Sequence, residues 1–123
     1  MSKKVALVGH CGPDSSFLRI AVSRVGKDVQ VVSADDGREL KRVLENGVDL
    51  LLFNRQLDYG FDDTEGVAVI RKIRPNYANV RMMLVSNFPD AQAAAVAEGA
   101  LPGFGKRELN TPKVAQLIRE ALA

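Results

Sequence analysis

The stretch DLLLFN, residues 49 to 54, ends an apolar run on a carboxamide. In an open α/β sheet, the C-terminal end of a central strand is where ligands bind and chemistry occurs. An aspartate there would serve as a nucleophile or a metal ligand; the amide nitrogen of Asn54 is not nucleophilic and suits neither role. Other apolar runs end on Gly9, His10 and Cys11, on Ser86 and Asn87, and on Lys106. His10 beside Cys11 suggests a metal, but a zinc site takes four ligands and adjacent side chains at a strand end point opposite ways. Nothing in the sequence places a base or a metal to assist His10 as a phosphoacceptor.

GHCGPDSS, residues 9 to 16, offers a second kind of chemistry. Its two glycines, Gly9 and Gly12, with Ser15 and Ser16 at the expected start of a helix, would cradle an anion with backbone N–H groups and the helix dipole. It lacks the lysine and spacing of a Walker A loop and the spacing of a dinucleotide fingerprint. Asp58, Asp62, Asp63 and Glu65 crowd the segment 55–66, and acids just before a helix are expected to cap it and favour its dipole. Lys106 is expected to pair with an acid such as Asp14 or Asp58, or to extend into solvent; its alternative is an anion.

Five apolar runs position these residues: VALV at 5–8, VQVV at 29–32, LLLF at 50–53, VRMMLV at 80–85, and a weaker one in LPGFG at 101–105. Near-continuous apolar runs indicate strands buried on both faces of a parallel sheet. Between them, Leu18, Ala21, Val22 and Val25, then Leu40, Val43 and Leu44, then Val69, Ile70 and Ile73, and finally Val114, Leu117, Ile118, Ala121 and Leu122 fall at helical spacing. Asp14 or Ser15, Asp35 or Asp36, Asp63 or Thr64, and Thr111 before Pro112 are expected helix starts. Gly26, Gly47 and Gly99 are expected stops. The pattern is (βα)₅, which right-handed crossovers fold into a doubly wound five-stranded parallel sheet of order 2-1-3-4-5, flavodoxin-like, as one domain over 1–123.

Composition narrows the function. With 17 basic and 15 acidic residues, the net charge is +2. Lys3 with Lys4, and Arg71, Lys72 and Arg74, are local clusters that read as solvated faces, so no nucleic-acid partner is expected. The run at 5–8 is too short for a signal peptide or a membrane span. A single cysteine excludes an internal disulfide, and a cytoplasmic location is expected. A flavin would want aromatic rings to stack on, yet there is no Trp, and Tyr59 and Tyr77 are the two Tyr.

Over essentially its whole length the chain resembles the receiver domain of bacterial response regulators. DLLLFN stands where that family has the strand ending in its phosphoacceptor aspartate, RMMLVS where a strand ends in serine or threonine, and EGALPGFGK where a glycine-alanine turn precedes a strand and its lysine. By the resemblance, Gly9 and His10 occupy the positions of the acidic pair that holds magnesium, Asn54 the phosphoacceptor, and Gly103 the aromatic switch. Arg107 follows the lysine where proline is common, and RQLDYGFDDTEG is about four residues longer than the usual connection. The metal ligands and nucleophile are absent while Ser86 and Lys106 remain, which implies a pseudo-receiver with no magnesium and no other cofactor.

The expected function is therefore non-catalytic: phosphorylation-independent binding of a protein partner, or of a second copy, in a two-component-type pathway. In the family, the fourth helix, fifth strand and fifth helix form the usual partner face. PDAQAAAVAEGA has small apolar side chains around more of its circumference than one buried face requires. Ala91, Ala94, Ala95 and Glu98 on one side, and Arg107, Lys113 and Arg119 on the other, are the expected contacts. The alternatives are an anion or small ligand at Gly9 to Ser16 and an unusual phosphorylatable receiver.

Overall fold

The computed structural model describes residues 2–57 and 60–123. Five parallel strands, β1 (Lys3–Val8), β2 (Val29–Ala34), β3 (Leu50–Asn54), β4 (Arg81–Val85) and β5 (Leu101–Phe104), lie in the order β2-β1-β3-β4-β5. Both faces of the inner strands are covered, as the unbroken apolar runs require. Val5, Leu7, Leu50, Leu52, Met83 and Val85 pack on one side with α1 (Gly12–Ser23) and α5 (Pro112–Leu122). Ala6, Val8, Leu51, Phe53, Met82 and Leu84 pack on the other with α2 (Gly37–Asn46), α3 (Gly66–Ile73) and α4 (Pro89–Ala97). The order reverses between β1 and β3, so their C-terminal ends flank the switch-point crevice. No helix among the described residues is long and apolar enough to cross a membrane.

The helix starts are partly as expected. Asp36 caps α2, its carboxylate accepting the Glu39 N–H at 2.7 Å while Glu39 accepts the Asp35 N–H at 2.7 Å, a reciprocal arrangement that satisfies two orphan donors. Thr111 and Pro112 open α5. The first helix starts earlier than expected, at Gly12 with Cys11 as its N-cap, because Pro13 is pre-set for a first helical turn. Ser15 and Ser16 consequently lie inside α1, and Ser15 N–H is bonded to the Cys11 carbonyl at 2.8 Å. In the acidic segment, Glu65 precedes α3 without a side-chain cap, and Asp63 reaches Lys72 at 2.8 Å. Capping is not what those two acids do.

The fourth helix also departs from expectation. Ala95 is fully buried among Leu84, Met82 and Ala100, so it belongs to the core and not to a contact face. Ala91 is half-buried against the same core, and Glu98 pairs with Arg71 of α3 at 3.1 Å. Ala93, Ala94, Val96 and Ala97 are exposed, which preserves the observation that apolar residues surround the helix. Arg107, Lys113 and Arg119 are exposed, with Lys113 3.0 Å from Glu108.

A bulge joins β4 to β5: Met83 pairs with Leu101 and Val85 with Phe104, leaving Leu84 opposite both Pro102 and Gly103. Gln92 of α4 repairs the ladder there. Its amide nitrogen donates to the carbonyls of Leu84 at 2.8 Å and Ser86 at 3.2 Å, and its oxygen accepts the Gly103 N–H at 3.1 Å. A Cβ at Gly103 would overlap the Leu84 carbonyl and crowd this amide. Removing the amide leaves those backbone groups without partners, so Gln92→Ala is expected to cost about 1–3 kcal/mol in urea unfolding. Gln92→Glu should be destabilised more at neutral pH than in acid, since its carboxylate faces carbonyl oxygens. A Gln92→Ala change under about 0.5 kcal/mol would show the amide to be dispensable.

Candidate functional site

Gly9 sets the geometry at the end of β1. Its φ of +73° is one that residues with a Cβ rarely adopt. Its N–H bonds the Ala34 carbonyl of β2 at 2.9 Å, and its carbonyl accepts the Asn54 side-chain amide of β3 at 3.1 Å. One residue thus ties three strand ends together. A Cβ there would also overlap Leu57 and lie 3.4 Å from Phe61. Both are buried side chains of the segment linking β3 to α3, and both join the core cluster of Val8 and Phe53. That segment is held by an antiparallel bridge between Gln56 and Glu65 and by bonds from Leu57 N–H to Thr64 (2.7 Å) and from Gly37 N–H to Gly60 (3.0 Å). The extra length of the connection therefore folds an apolar pair over the first strand's end.

His10 is 7% exposed. Its Nε2 lies 2.8 Å from the Leu52 carbonyl. A carbonyl only accepts, so Nε2 carries the proton and Nδ1 is the bare nitrogen; Nδ1 is buried without a partner. Burial pulls the imidazole pKa from 6.5 down to about 4, the Leu52 carbonyl opposes the shift, and Lys106 adds to it. His10 is neutral at physiological pH. Cys11 is exposed and is the N-cap residue of α1.

Asn54 is bonded to backbone at both ends of its amide: the nitrogen donates to the Gly9 carbonyl, and the oxygen accepts the Arg55 N–H at 3.0 Å. Ser86 is buried, its hydroxyl accepting the Phe88 N–H at 3.1 Å at the start of α4. Lys106 pairs with Asp14 at 2.6 Å, the partner expected for it, and this pairing holds the Asp14 carboxyl below its usual range. Asp58, the other expected partner, and Tyr59 lie outside the described residues. Gly103 is far from an empty switch position, since Gln92 fills the space beside it.

The structure thus brings Gly9, His10, Asn54, Ser86 and Lys106 to one end of the sheet, and gives their polar groups mostly backbone or ion-pair partners. A magnesium ion wants several carboxylate or carbonyl oxygens. Gly9 has no side chain, and the Nε2 of His10 and both ends of the Asn54 amide are already engaged. These residues do not fit that ion, and among the described residues no three His, Cys, Asp or Glu side chains gather to hold a metal. The sequence reading missed Leu57, Phe61 and Gln92. The spacing of Leu57 and Phe61, two apolar residues four apart in an otherwise polar connection, was the available signal.

No protein-family model matches the sequence, and no curated protein matches it either. Solved structures do. The chain superposes on the non-phosphorylated receiver domain of the stress response regulator RcsB from Escherichia coli with a TM-score of 0.77 at 16% identity, over 98% of this chain and 95% of that one. It matches the signal receiver domain of an HD domain-containing protein from Pseudomonas fluorescens Pf-5 with a TM-score of 0.80 at 20% identity, over 98% and 87%. The receiver domain of a DNA-binding response regulator from Colwellia psychrerythraea 34H gives 0.78 at 17% identity, over 97% of each chain. These likenesses establish the receiver fold, five parallel strands with helices on both faces.

His10 is the chain's one histidine, so its titration is readable without ambiguity. Its folded pKa lies below its unfolded value, so the unfolded chain binds the extra proton first as pH falls. The associated stability is present above pH 6.5 and is lost as pH drops toward about 4, a decline on the order of 3 kcal/mol. NMR of the imidazole ring is expected to show no titration above pH 5. A midpoint near the ordinary value would mean that the ring is solvated and its burial at the end of β1 is lost.

Proposed function

We propose that this chain is a receiver-type signalling module that works through a protein partner without an aspartyl-phosphate step. The observation carrying this reading is the apolar closure over Gly9. Leu57 and Phe61 lie where a side chain at Gly9 would have to extend, and His10 and Asn54 are bonded to backbone. Phosphoryl transfer depends on positioning and on neutralising charge around the transferred group. Here no nucleophilic oxygen stands at the end of β3, and Lys106 is paired with Asp14. The module is non-catalytic and operates in the cytoplasm of a two-component-type pathway.

The contact, with another protein or a second copy, belongs on the face of α4, β5 and α5. Ala95 drops out of that face because it is buried; exposed Val96 with Ala93 and Ala97 replaces it, and Arg107, Lys113 and Arg119 are exposed as well. Apolar side chains exposed beyond what the core needs, rimmed by charge, are the composition of an interaction patch. Val96→Glu should abolish dimerisation or partner pull-down while the thermal melt stays within a degree or two; retained binding would move the contact elsewhere.

The chemical half of the proposal is tested with acetyl phosphate and magnesium, read by intact-mass spectrometry. The wild-type chain and Asn54→Asp are both expected to gain no phosphoryl group. Adding Gly9→Asp should lower stability, because the new side chain meets Leu57 and the +73° backbone. Stoichiometric phosphorylation of the wild type, lost on Asn54→Ala, would overturn the reading.

A further inference from the structure

Two cavities adjoin beside α4. The first, about 170 Å³, is lined by Asn54, Gln56, Ser86, Asn87 and Lys106. The second, about 430 Å³, has an apolar floor of Val67, Ala91 and Ala94 between α3 and α4. Arg55 and Phe88 line both. The Arg55 guanidinium stacks 4.6 Å from the centre of the Phe88 ring, which is 57% exposed. Stacking orients a guanidinium while leaving its in-plane N–H groups available to a ligand.

Charge differs between the two lobes. Arg55 and Lys106 are the charged groups lining the polar lobe, and no acid lines it; Lys106 is already paired with Asp14, so Arg55 is the cation that carries the attraction for an anion. Glu65, Asp90 and Arg71 stand at the rim of the apolar lobe, where the two acids are balanced by Arg71 and the shared Arg55. The polar lobe, lined by cations alone, draws an anionic head, and the apolar floor is left to the body of a bound molecule. The combined space matches that of ordinary ligand clefts, roughly 300–1,000 Å³, and the pairing of a few polar groups with an apolar wall is their usual composition.

We propose that this cleft binds a small organic anion, with an oxyanion head beside Arg55 and Lys106 and an apolar body lying past Phe88 against Val67, Ala91 and Ala94. The head is a carboxylate or a phosphate monoester, either of which the planar guanidinium grips through paired N–H groups. The body separates this ligand from an inorganic anion, which would use the polar lobe alone. Arg55, a neighbour of Asn54 in sequence, is thereby a binding residue in its own right. Occupation would couple the cleft to α4, because Phe88 is that helix's N-cap.

The test is calorimetric titration of the full chain with acetate, 3-phenylpropionate, 3-phenylpropionamide and phenyl phosphate, with chemical-shift mapping of the bound site. 3-Phenylpropionate or phenyl phosphate is expected to bind on the order of tenfold or more tighter than acetate and than the uncharged amide, and which of the two is tighter assigns the head. Arg55→Ala should weaken the better ligand by about tenfold. Ala94→Phe should remove the advantage of the phenyl body while leaving acetate unaffected, with urea midpoints reporting that both variants fold. The proposal is overturned if acetate and 3-phenylpropionate bind equally, if the amide matches the acid, if no compound binds, or if shifts map to Gly9–Ser16.

Discussion

The backbone of Gly9 is the constraint on which the rest of this end of the molecule depends. Its N–H engages β2, its carbonyl engages Asn54 on β3, and its left-handed φ bends the chain toward α1. Because it carries no Cβ, Leu57 and Phe61 can descend onto it and bury themselves. Once they do, the space beneath is poorly suited to charge: an ionised group there would lose hydration without gaining a counter-charge. Neutral hydrogen bonds tolerate such a setting. A carboxamide stands at the end of β3 on the Gly9 carbonyl, and His10, buried in its own right, is held uncharged on the Leu52 carbonyl.

Much of the architecture was legible in the sequence because its causes are local. Runs such as LLLF and RMMLV are apolar at every position, which only a strand covered on both sides makes use of, and Thr111-Pro112 opens a helix by its own dihedral preferences. The helix boundaries that went astray have equally physical reasons. Pro13 outweighed the capping tendency of Asp14 and Ser15, and Asp63 found Lys72 across a turn of α3 instead of a helix terminus.

The candidate site was legible in membership and less so in arrangement. Strand ends gather at the switch point whatever their residues, so Gly9, His10, Asn54, Ser86 and Lys106 were placed by topology alone. What those side chains bond to depends on non-local packing. The Asn54–Gly9 bond spans 45 residues and the Lys106–Asp14 pair 92. Ala95 illustrates the same limit: in a helix that is apolar all round, sequence period gives no sign of which alanine faces inward, and only contact with Leu84 and Ala100 settles it.

The bulge at β5 bears on how this molecule meets others. That strand lies at the margin of the sheet, and such a margin ordinarily presents a row of free amide and carbonyl groups onto which another chain can pair. Here it is only four residues long, Pro102 has no N–H to offer, and the N–H of Gly103 is turned inward to Gln92. An incoming strand would find little length, and no free donor at Pro102 or Gly103. This border is therefore shielded against sheet extension, the route to fibrils and to strand-swapped oligomers, and recognition along it falls to side chains.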